Sequence, residues 1–413
     1  MSLYNKSKHL ICGLDIGTTK VSFVISTVGP HGLEIVGVGS AANPGMRHGM
    51  VVNIDSTTDA VRKAREEAEL MSGLEARRVW VSLGGSHIQS FDSSGMVAVR
   101  NSEVSQEDVN RVIEVAKAVA IPSDKQVLHV LPKDFKIDGQ EGITDPLGMS
   151  GVRLECNVHI VTGSKTIIQN VLKVCERSGL EVAGLVLQQL ATSIAVLSKD
   201  EKNLGVCVVD IGGGTTDLIT YQRGSVVHTA TIPVGGLNFT HDVAMGLRTT
   251  QVNADDLKRK YGSALPALIT NDESIEVETV GGRQPRSVSR SSLCRVIEAR
   301  AEETLKLIQK EITDRGYAGK LGSGIVLSGG ASELAGFIEM GDFVFDMPAR
   351  LGVPNKTGGL TDVVRSASFA TVVGLLMYGF DIEKPKYVEP EADIISSKVN
   401  EMGRVIKGFL GRI

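Results

Sequence analysis

The sequence predicts an α/β protein of two related domains that face each other, with a subdomain inserted into the first and an amphipathic helix at the C-terminal end. Three observations lead there. A strand–turn–strand signature occurs twice: Leu10 to Ile25 carries Asp15, Ile16, Gly17, Thr18, Thr19 and Lys20, and Val208 to Thr220 carries Asp210, Ile211, Gly212, Gly213, Gly214, Thr215, Thr216 and Asp217. The spacing between the copies is that of a domain and far too long for a solenoid. Around both copies, strand patterns of period two alternate with helical patterns. Between residues 87 and 163 that texture gives way to short strands around one helix.

Composition narrows the class. The chain has 413 residues, 42% hydrophobic and 22% charged, enough for more than one core and unlike a disordered chain. A formal net charge of −4 gives no overall drive toward nucleic acid, so none is expected as a partner. Cys12, Cys156, Cys175, Cys207 and Cys294 are scattered, with no Cys-x-x-Cys pair. That argues against a zinc site or a disulfide framework and fits a reducing compartment. No apolar run approaches about 18 residues and the N-terminal stretch is polar, so neither a membrane span nor a signal peptide is expected.

Taken in order, Leu10 to Ile25 reads strand, tight turn, strand, and Leu33 to Ser40 continues the sheet. Val61, Ala64, Ala68 and Met71 give Ser56 to Met71 a helical face, and Val79 to Leu83 returns to strand. In the inserted region Ser105 with Asp108 three residues on opens a helix carrying Val109, Val112, Ile113 and Ala116. His87, His129 and His159 match no ligand spacing and read as structural. Lys165 to Ser178 is a helix, and Gly184 to Leu197 is a strand passing into a buried helix. Gln188 and Gln189 sit at that join, where an amide can orient a water or cap backbone groups; capping leads. Ala254 to Gly262 is a charged helical turn, Gly281 to Arg290 a basic loop, and Ser292 to Ile312 a helix with Leu293, Val296, Ile297, Ala301, Leu305 and Ile308 on one face. A strand then meets Gly329, Gly330 and Ala331, with Ser332 at a helix start. Ser368 to Tyr378 is an apolar core helix. Glu383 to Glu391, rich in Pro, Lys and Glu, marks a linker.

The chemistry sits at the glycine turns. Glycines 212 to 214 remove the Cβ atoms that keep a backbone away from a bound anion, and their N–H groups can point at one. Thr215 and Thr216 add hydroxyl donors, and Asp210 at a strand end suits a hydrated Mg²⁺. Lys20 is a point charge for phosphate oxygens. Taken alone, either turn also fits an ordinary glycine-rich hairpin; as a pair from two domains they imply a nucleotide clamped between them. At Gly329 to Ala331 the backbone can approach a flat base or a phosphate. From Lys398 to Ile413, Val399, Met402, Val405, Ile406, Phe409, Leu410 and Ile413 share one helical face. Arg404 and Lys407 lie opposite, a composition suited to an anionic membrane surface. A helix docked on the protein, or a coiled-coil partner, is the alternative reading of that face.

These segments, in this order, resemble the actin and Hsp70 superfamily: a first phosphate segment (Asp15 to Lys20), a second (Asp210 to Asp217) and an adenosine segment (Gly329 to Ala331). Four further segments make the chain similar to the FtsA family of actin-related bacterial cell-division proteins over nearly its whole length. They are residues 45–51 (GMRHGMV), 147–153 (LGMSGVR), 281–287 (GGRQPRS) and the amphipathic C-terminus. The resemblance implies subdomains 1A (1–86 and 164–200), 1C (87–163), 2A (201–240 and 306–382) and 2B (241–305), then a linker (383–397) and a membrane-targeting helix (398–413). It implies ATP and Mg²⁺ in the cleft, with Gly17, Thr18, Thr19 and Lys20 meeting phosphate, Asp255 and Lys258 the adenosine, and Asp15 and Asp210 holding Mg²⁺ through water. It also implies filaments of the protein itself, peripheral attachment to the cytoplasmic face of the inner membrane at the division site, capture of the FtsZ C-terminal tail by the face with Arg300 and Glu303, and contacts with later division proteins. Several relatives position the attacking water with a glutamate; the match here is Gln188, so at most a weak ATPase is implied. Sugar and acid kinases share the clamp and are the competing class. They need an acceptor pocket with its own base, for which the sequence has no local signature.

Overall fold

The first Asp-Ile-Gly turn starts the first sheet. Strands β1 (Leu10–Ile16), β2 (Lys20–Gly29) and β3 (Gly32–Ala42) form an antiparallel meander, with Asp15 opposite Ser22 and Ile16 opposite Val21. A short hairpin, β4 (Met46–Arg47) and β5 (Met50–Val51), leads into helix α1 (Ile54–Ser72), and β6 (Arg78–Leu83) then pairs parallel to β1. Asn53 caps α1 by accepting from the Ser56 N–H, so the helix starts two residues earlier than its apolar spacing indicates. It lies close on β3 because Gly39 has no side chain: a Cβ there would stand 1.9 Å from the Ala64 carbonyl oxygen. The computed structural model describes residues 9–29, 32–279, 281, 284–355 and 357–383. The expected membrane-targeting helix, with Val399, Met402, Arg404, Val405, Ile406, Lys407, Phe409, Leu410 and Ile413, lies outside the described residues, as does the linker beyond Glu383.

The inserted subdomain is a four-stranded sheet with one helix. Strands β7 (Gln89–Ala98), β8 (Lys125–Ile137), β9 (Gln140–Ile143) and β10 (Arg153–Ser164) lie in the order β7-β10-β8-β9, and α2 (Gln106–Lys117) covers a face. Ser105 and Asp108 form the reciprocal capping box read from the sequence. The strands are longer than expected, 13 residues in β8 and 12 in β10. Their pairing slips between Asn157 and Val158 and again between Val161 and Thr162. Each slip resets the inward–outward alternation, so one long strand reads as short pieces. Val112, Ala116, Leu154, Val158 and Ile160 give the subdomain its own core.

Helix α3 (Lys165–Arg177), strand β11 (Glu181–Leu187), and helices α4 (Gln188–Val196) and α5 (Lys199–Leu204) return the chain to the first body, where β11 pairs parallel to β6. The second body repeats the plan. Strands β12 (Val206–Ile211), β13 (Thr216–Gln222) and β14 (Ser225–Ile232) form the meander. Helices α6 (Gly236–Gly246) and α7 (Gln251–Tyr261), the hairpin of β15 (Ser274–Val277) with β16 (Arg286–Ser289), and α8 (Arg290–Asp314) follow. The body closes with β17 (Ile325–Ser328), α9 (Phe337–Phe345) and β18 (Ala349–Leu351). Its sheet order, β14-β13-β12-β17-β18, matches β3-β2-β1-β6-β11 of the first body, each a meander followed by two parallel strands. The repeat seen in the sequence is thus a repeat of topology.

Two boundaries differ from the sequence reading. The chain crosses back after β18: β19 (Gly358–Gly359) pairs with β3, and after the short α10 (Thr361–Val364), α11 (Ala370–Glu383) packs on β1 and α4. Residues 358–382 were expected in the second body, but their contacts belong to the first. A Cβ on Gly374 would stand 1.8 Å from the Ala191 carbonyl oxygen, and one on Gly13 2.9 Å from that of Val372. Glu383, expected to open the linker, ends α11 and is buried, accepting from Trp80 Nε1 and pairing with Arg78, each at 3.2 Å. Together α4 and α11 join the two sheets in one core with Ile11, Trp80, Val208 and Val326.

Candidate functional site

The two Asp-Ile-Gly turns close in the same way. Gly17 N–H donates to the Lys20 carbonyl at 3.0 Å, and Gly212 N–H to that of Thr215 at 2.9 Å. Their tips meet across the gap between the bodies. A Cβ on Gly213 would stand 2.5 Å from Thr19 Cγ2, and one on Gly214 2.9 Å from Thr18 Cγ2 and Oγ1. Glycine is needed here for close approach of one hairpin to the other. Asn43 Nδ2 steadies the first turn by donating to the Gly17 carbonyl at 2.9 Å.

Three carboxylates stand behind these turns. Asp15 accepts from Ser82 Oγ at 2.6 Å. Asp210 Oδ2 accepts from Thr192 Oγ1 at 2.7 Å, Thr371 Oγ1 at 3.0 Å and Gln188 Nε2 at 3.3 Å. Asp217, opposite Asp210 in the β12–β13 pairing, accepts from Thr231 Oγ1 at 2.6 Å and Thr215 Oγ1 at 3.0 Å. Burial pushes Asp15 up to about 6 and Asp217 up to about 7, with Asp210 repelling both; burial also raises Asp210. No bonded side-chain cation offsets this charge among the described residues. Lys20, whose ammonium burial lowers, donates to the carbonyl and hydroxyl of Ser368 at 3.2 and 3.3 Å and stands 4.1 Å from the Phe369 ring centre.

The third glycine segment closes on the same carboxylate. Gly329 has φ 82°, and a Cβ there would stand 2.4 Å from Asp210 Oδ1. Gly330 to Glu333 is a 3₁₀ turn and α9 begins only at Phe337, so Ser332 does not start a helix as expected. Its buried hydroxyl donates to the Ser328 carbonyl at 2.5 Å, which folds the turn back on β17. Ala331 lies against Gly236, whose N–H donates to the Gly212 carbonyl at 2.9 Å. Asp255 and Lys258 join this loop from α7: they pair at 2.6 Å, both bond Thr240 Oγ1, and Lys258 Nζ reaches the Gly236 carbonyl at 3.2 Å. Thus Gly17 to Lys20, Gly212 to Thr216, Gly329 to Ala331, Asp255 and Lys258 gather around one gap.

Gln188 differs from its capping reading. The N-terminus of α4 has no side-chain cap, and the Gln188 amide turns to Asp210 instead. Gly84 makes room for it, since a Cβ there would stand 2.4 Å from Gln188 Oε1. Gln189 is buried with neither amide atom hydrogen-bonded among the described residues. His129 Nε2 accepts from the Leu187 N–H at 3.0 Å, and His159 lies between Asp92 and Thr229. His87 is half-buried, with neither ring nitrogen hydrogen-bonded among the described residues, and burial lowers it and His129 to about 4. Arg300 and Glu303 lie apart from the gap on α8, paired to each other at 2.7 Å, with Arg300 also held to Asp242 of α6 at 2.5 Å. The sequence reading missed Ser82, Thr192, Thr371 and Asn43. Thr192 follows Gln188 at helical spacing, which puts both on the Asp210 side of α4; nothing local marks the others.

A family model described as "SHS2 domain inserted in FTSA" matches residues 85–162, and one described as "Cell division protein FtsA" matches residues 207–374. The chain is 48% identical over 375 residues to the cell division protein FtsA of Pseudomonas aeruginosa, covering 91% of this chain and 90% of that one. It is 40% identical over 408 residues to the FtsA of Escherichia coli, covering 97% and 96%. Among solved structures, a PilM–PilN type IV pilus biogenesis complex aligns with TM-score 0.64 at 15% identity over 89% of this chain and 98% of that one. MreB5 of Spiroplasma citri bound to ADP aligns with TM-score 0.56 at 14% identity over 92% and 99%. The fold is the actin-like one, with the inserted subdomain added.

Proposed function

The chain belongs to the FtsA family of actin-like cell division proteins, and we propose that in this role it binds ATP with Mg²⁺ in the gap between its two bodies. On the same proposal it polymerises on the cytoplasmic face of the inner membrane, anchors FtsZ filaments by their C-terminal tail and helps recruit later division proteins. The observation that carries the nucleotide reading is the convergence of three glycine segments at the second hairpin, where Thr18 and Thr19 meet Gly214 and Gly213 and Gly329 closes on Asp210. A short-range cradle of this kind suits a phosphate chain that needs many N–H donors at close approach. The MreB5 structures of the same fold are bound to ADP and to AMPPNP, which supports the reading by likeness of fold.

In that reading Gly17, Thr18, Thr19 and Lys20 take phosphate from one side, and Gly212, Gly213, Gly214, Thr215 and Thr216 from the other. Gly329, Gly330 and Ala331, with Asp255 and Lys258, take the adenosine. The donor set fits the metal: Asp15 and Asp210 are carboxylates at strand ends beside the turns, each lacking a bonded side-chain cation and held by neutral hydroxyl or amide donors. That combination suits Mg²⁺, which keeps several waters and takes few protein oxygens. The ion would supply charge neutralisation for the phosphates. Gln188, bonded to Asp210, is assigned to orient a water. Arg300 and Glu303 on α8 are assigned to the FtsZ tail.

Among the described residues no helix is long and apolar enough to cross a membrane. Attachment is assigned to residues 398–413 on their sequence, whose apolar positions share one helical face opposite Arg404 and Lys407. An interfacial helix buries only part of each apolar side chain and must fold as it binds, and each basic residue near an anionic leaflet adds about 1 kcal/mol. One tail therefore binds reversibly, and a filament binds firmly because many tails act together. Co-sedimentation with anionic vesicles tests this, using the full chain and a chain ending at Glu383, which keeps the Glu383–Trp80 bond. The full chain is expected to pellet with vesicles, more so with Mg·ATP, and the shortened chain to stay in solution; equal pelleting of the two overturns the tail's role.

A further inference from the structure

We infer that the turn at His48 and Gly49 is a bracket across the gap, a positioning element that ties the first hairpin to the second and sets how long the gap stays closed on its ligand. This deepens the nucleotide reading and rests on it for the ligand's identity. The turn joins β4 to β5 in two residues, with Arg47 opposite Met50, and both of its residues are left-handed, φ 48° at His48 and 76° at Gly49. A two-residue hairpin of this type needs φ above zero twice, which is why Asn-Gly is its usual sequence. Histidine at the first position carries strain that asparagine or glycine would carry less of, and residues kept in such conformations cluster where their side chains serve a site.

The side chain of His48 spans the gap. Its Nδ1 lies 3.0 Å from the Gly214 carbonyl oxygen, and a carbonyl only accepts, so Nδ1 carries the proton. The turn's backbone holds the other side, with Gly49 N–H donating to Thr18 Oγ1 at 3.1 Å. Its remaining flank rests on Gly85: a Cβ on Gly49 would stand 2.6 Å from Gly85 Cα. Thr18 belongs to the first body, and Gly214 to the second. Hydrogen bonds lose most of their strength with a small lengthening or misalignment, whereas the Thr19–Gly213 contact is only van der Waals. Opening the gap therefore breaks the bracket, and the bracket resists opening. This also accounts for the 45–51 segment, which the phosphate and adenosine assignments leave without a role.

The test is His48→Gly in the full chain. Glycine keeps the left-handed turn without strain and removes the side-chain donor, so the melting temperature is expected to equal or exceed that of the unaltered protein. Hydrogen–deuterium exchange of the ligand-free protein is expected to quicken over residues 16–21 and 212–222, and release of a fluorescent ATP analogue to speed up about fivefold, the effect of one hydrogen bond. Unchanged exchange and unchanged release overturn the proposal, as does faster release that merely follows a lower melting temperature. Faster exchange in a protein whose unaltered form binds no ATP analogue leaves the bracket in place and overturns the nucleotide reading instead.

Discussion

Asp217 is a residue whose surroundings oppose its charge. It is fully buried beside Asp210, and the folded protein holds its proton to about pH 7, against an ordinary value of 3.8. A carboxyl raised in the folded state stabilises the fold while protonated. That contribution is full below about pH 4 and is lost as pH rises toward 7, because over this window the unfolded chain releases the proton and the folded chain retains it. The ligand-free protein is expected to lose melting temperature through Asp217 across this window, and Asp217→Asn to flatten the fall near its upper end. Thermal melts of both proteins across this range check it; parallel curves would mean that Asp217 titrates normally. At this scale the sequence was informative where chemistry is local. Asp15, Asp210 and the glycines are legible from spacing, since a turn that holds an anion needs those residues in that order. Their partners Ser82, Thr192 and Thr371 are not, because a hydroxyl donor carries no mark of the carboxylate it will meet.

Helices α4 and α11 set how closely the two bodies join. Their contact depends on Gly374, where a Cβ would stand 1.8 Å from a backbone oxygen that cannot move without shifting α4. Gly374→Ala is expected to lower stability by about 1–3 kcal/mol, even though alanine favours a helix by about 1 kcal/mol, because overpacking against backbone outweighs propensity. Gly319→Ala, with open space around its Cβ, is the control expected to leave stability nearly unchanged. The urea midpoints of the two variants decide it; equal midpoints would put the closeness of α4 and α11 in doubt. Elements whose signal is local were legible: α2 carries its capping box in the sequence, and α3 its apolar stripe. The β15–β16 hairpin was not. Arg286 to Ser289 is mostly polar, with Arg286 and Ser287 exposed, has no apolar alternation, and takes strand form only by pairing with Ser274 to Val277.

Across the whole molecule, the inserted subdomain and the second body are linked by polar contacts. His159 Nε2 meets Thr229 Oγ1 at 2.9 Å, and Ser90 Oγ donates to the Thr229 carbonyl at 3.2 Å. Thr229→Val keeps the shape of β14 and leaves a buried ring nitrogen of His159 unpaired, which should cost about 1–3 kcal/mol of that docking. Exchange over residues 89–98 and 153–164 is expected to quicken while the first sheet is unaffected; no change there would mean the subdomain is held by other contacts. The sequence by itself determined the duplication, the three glycine segments, the inserted subdomain and the apolar face of each principal helix. These depend on residue type and spacing along one short stretch of backbone, so they survive without knowledge of the rest. Only the tertiary structure decided that residues 358–383 return to the first body, that Gln188 turns to Asp210, and that Lys20 meets Ser368. Those pairings join residues far apart in the chain, and their partners are fixed by how the two sheets pack around α4 and α11, a geometry that no local pattern of side chains encodes.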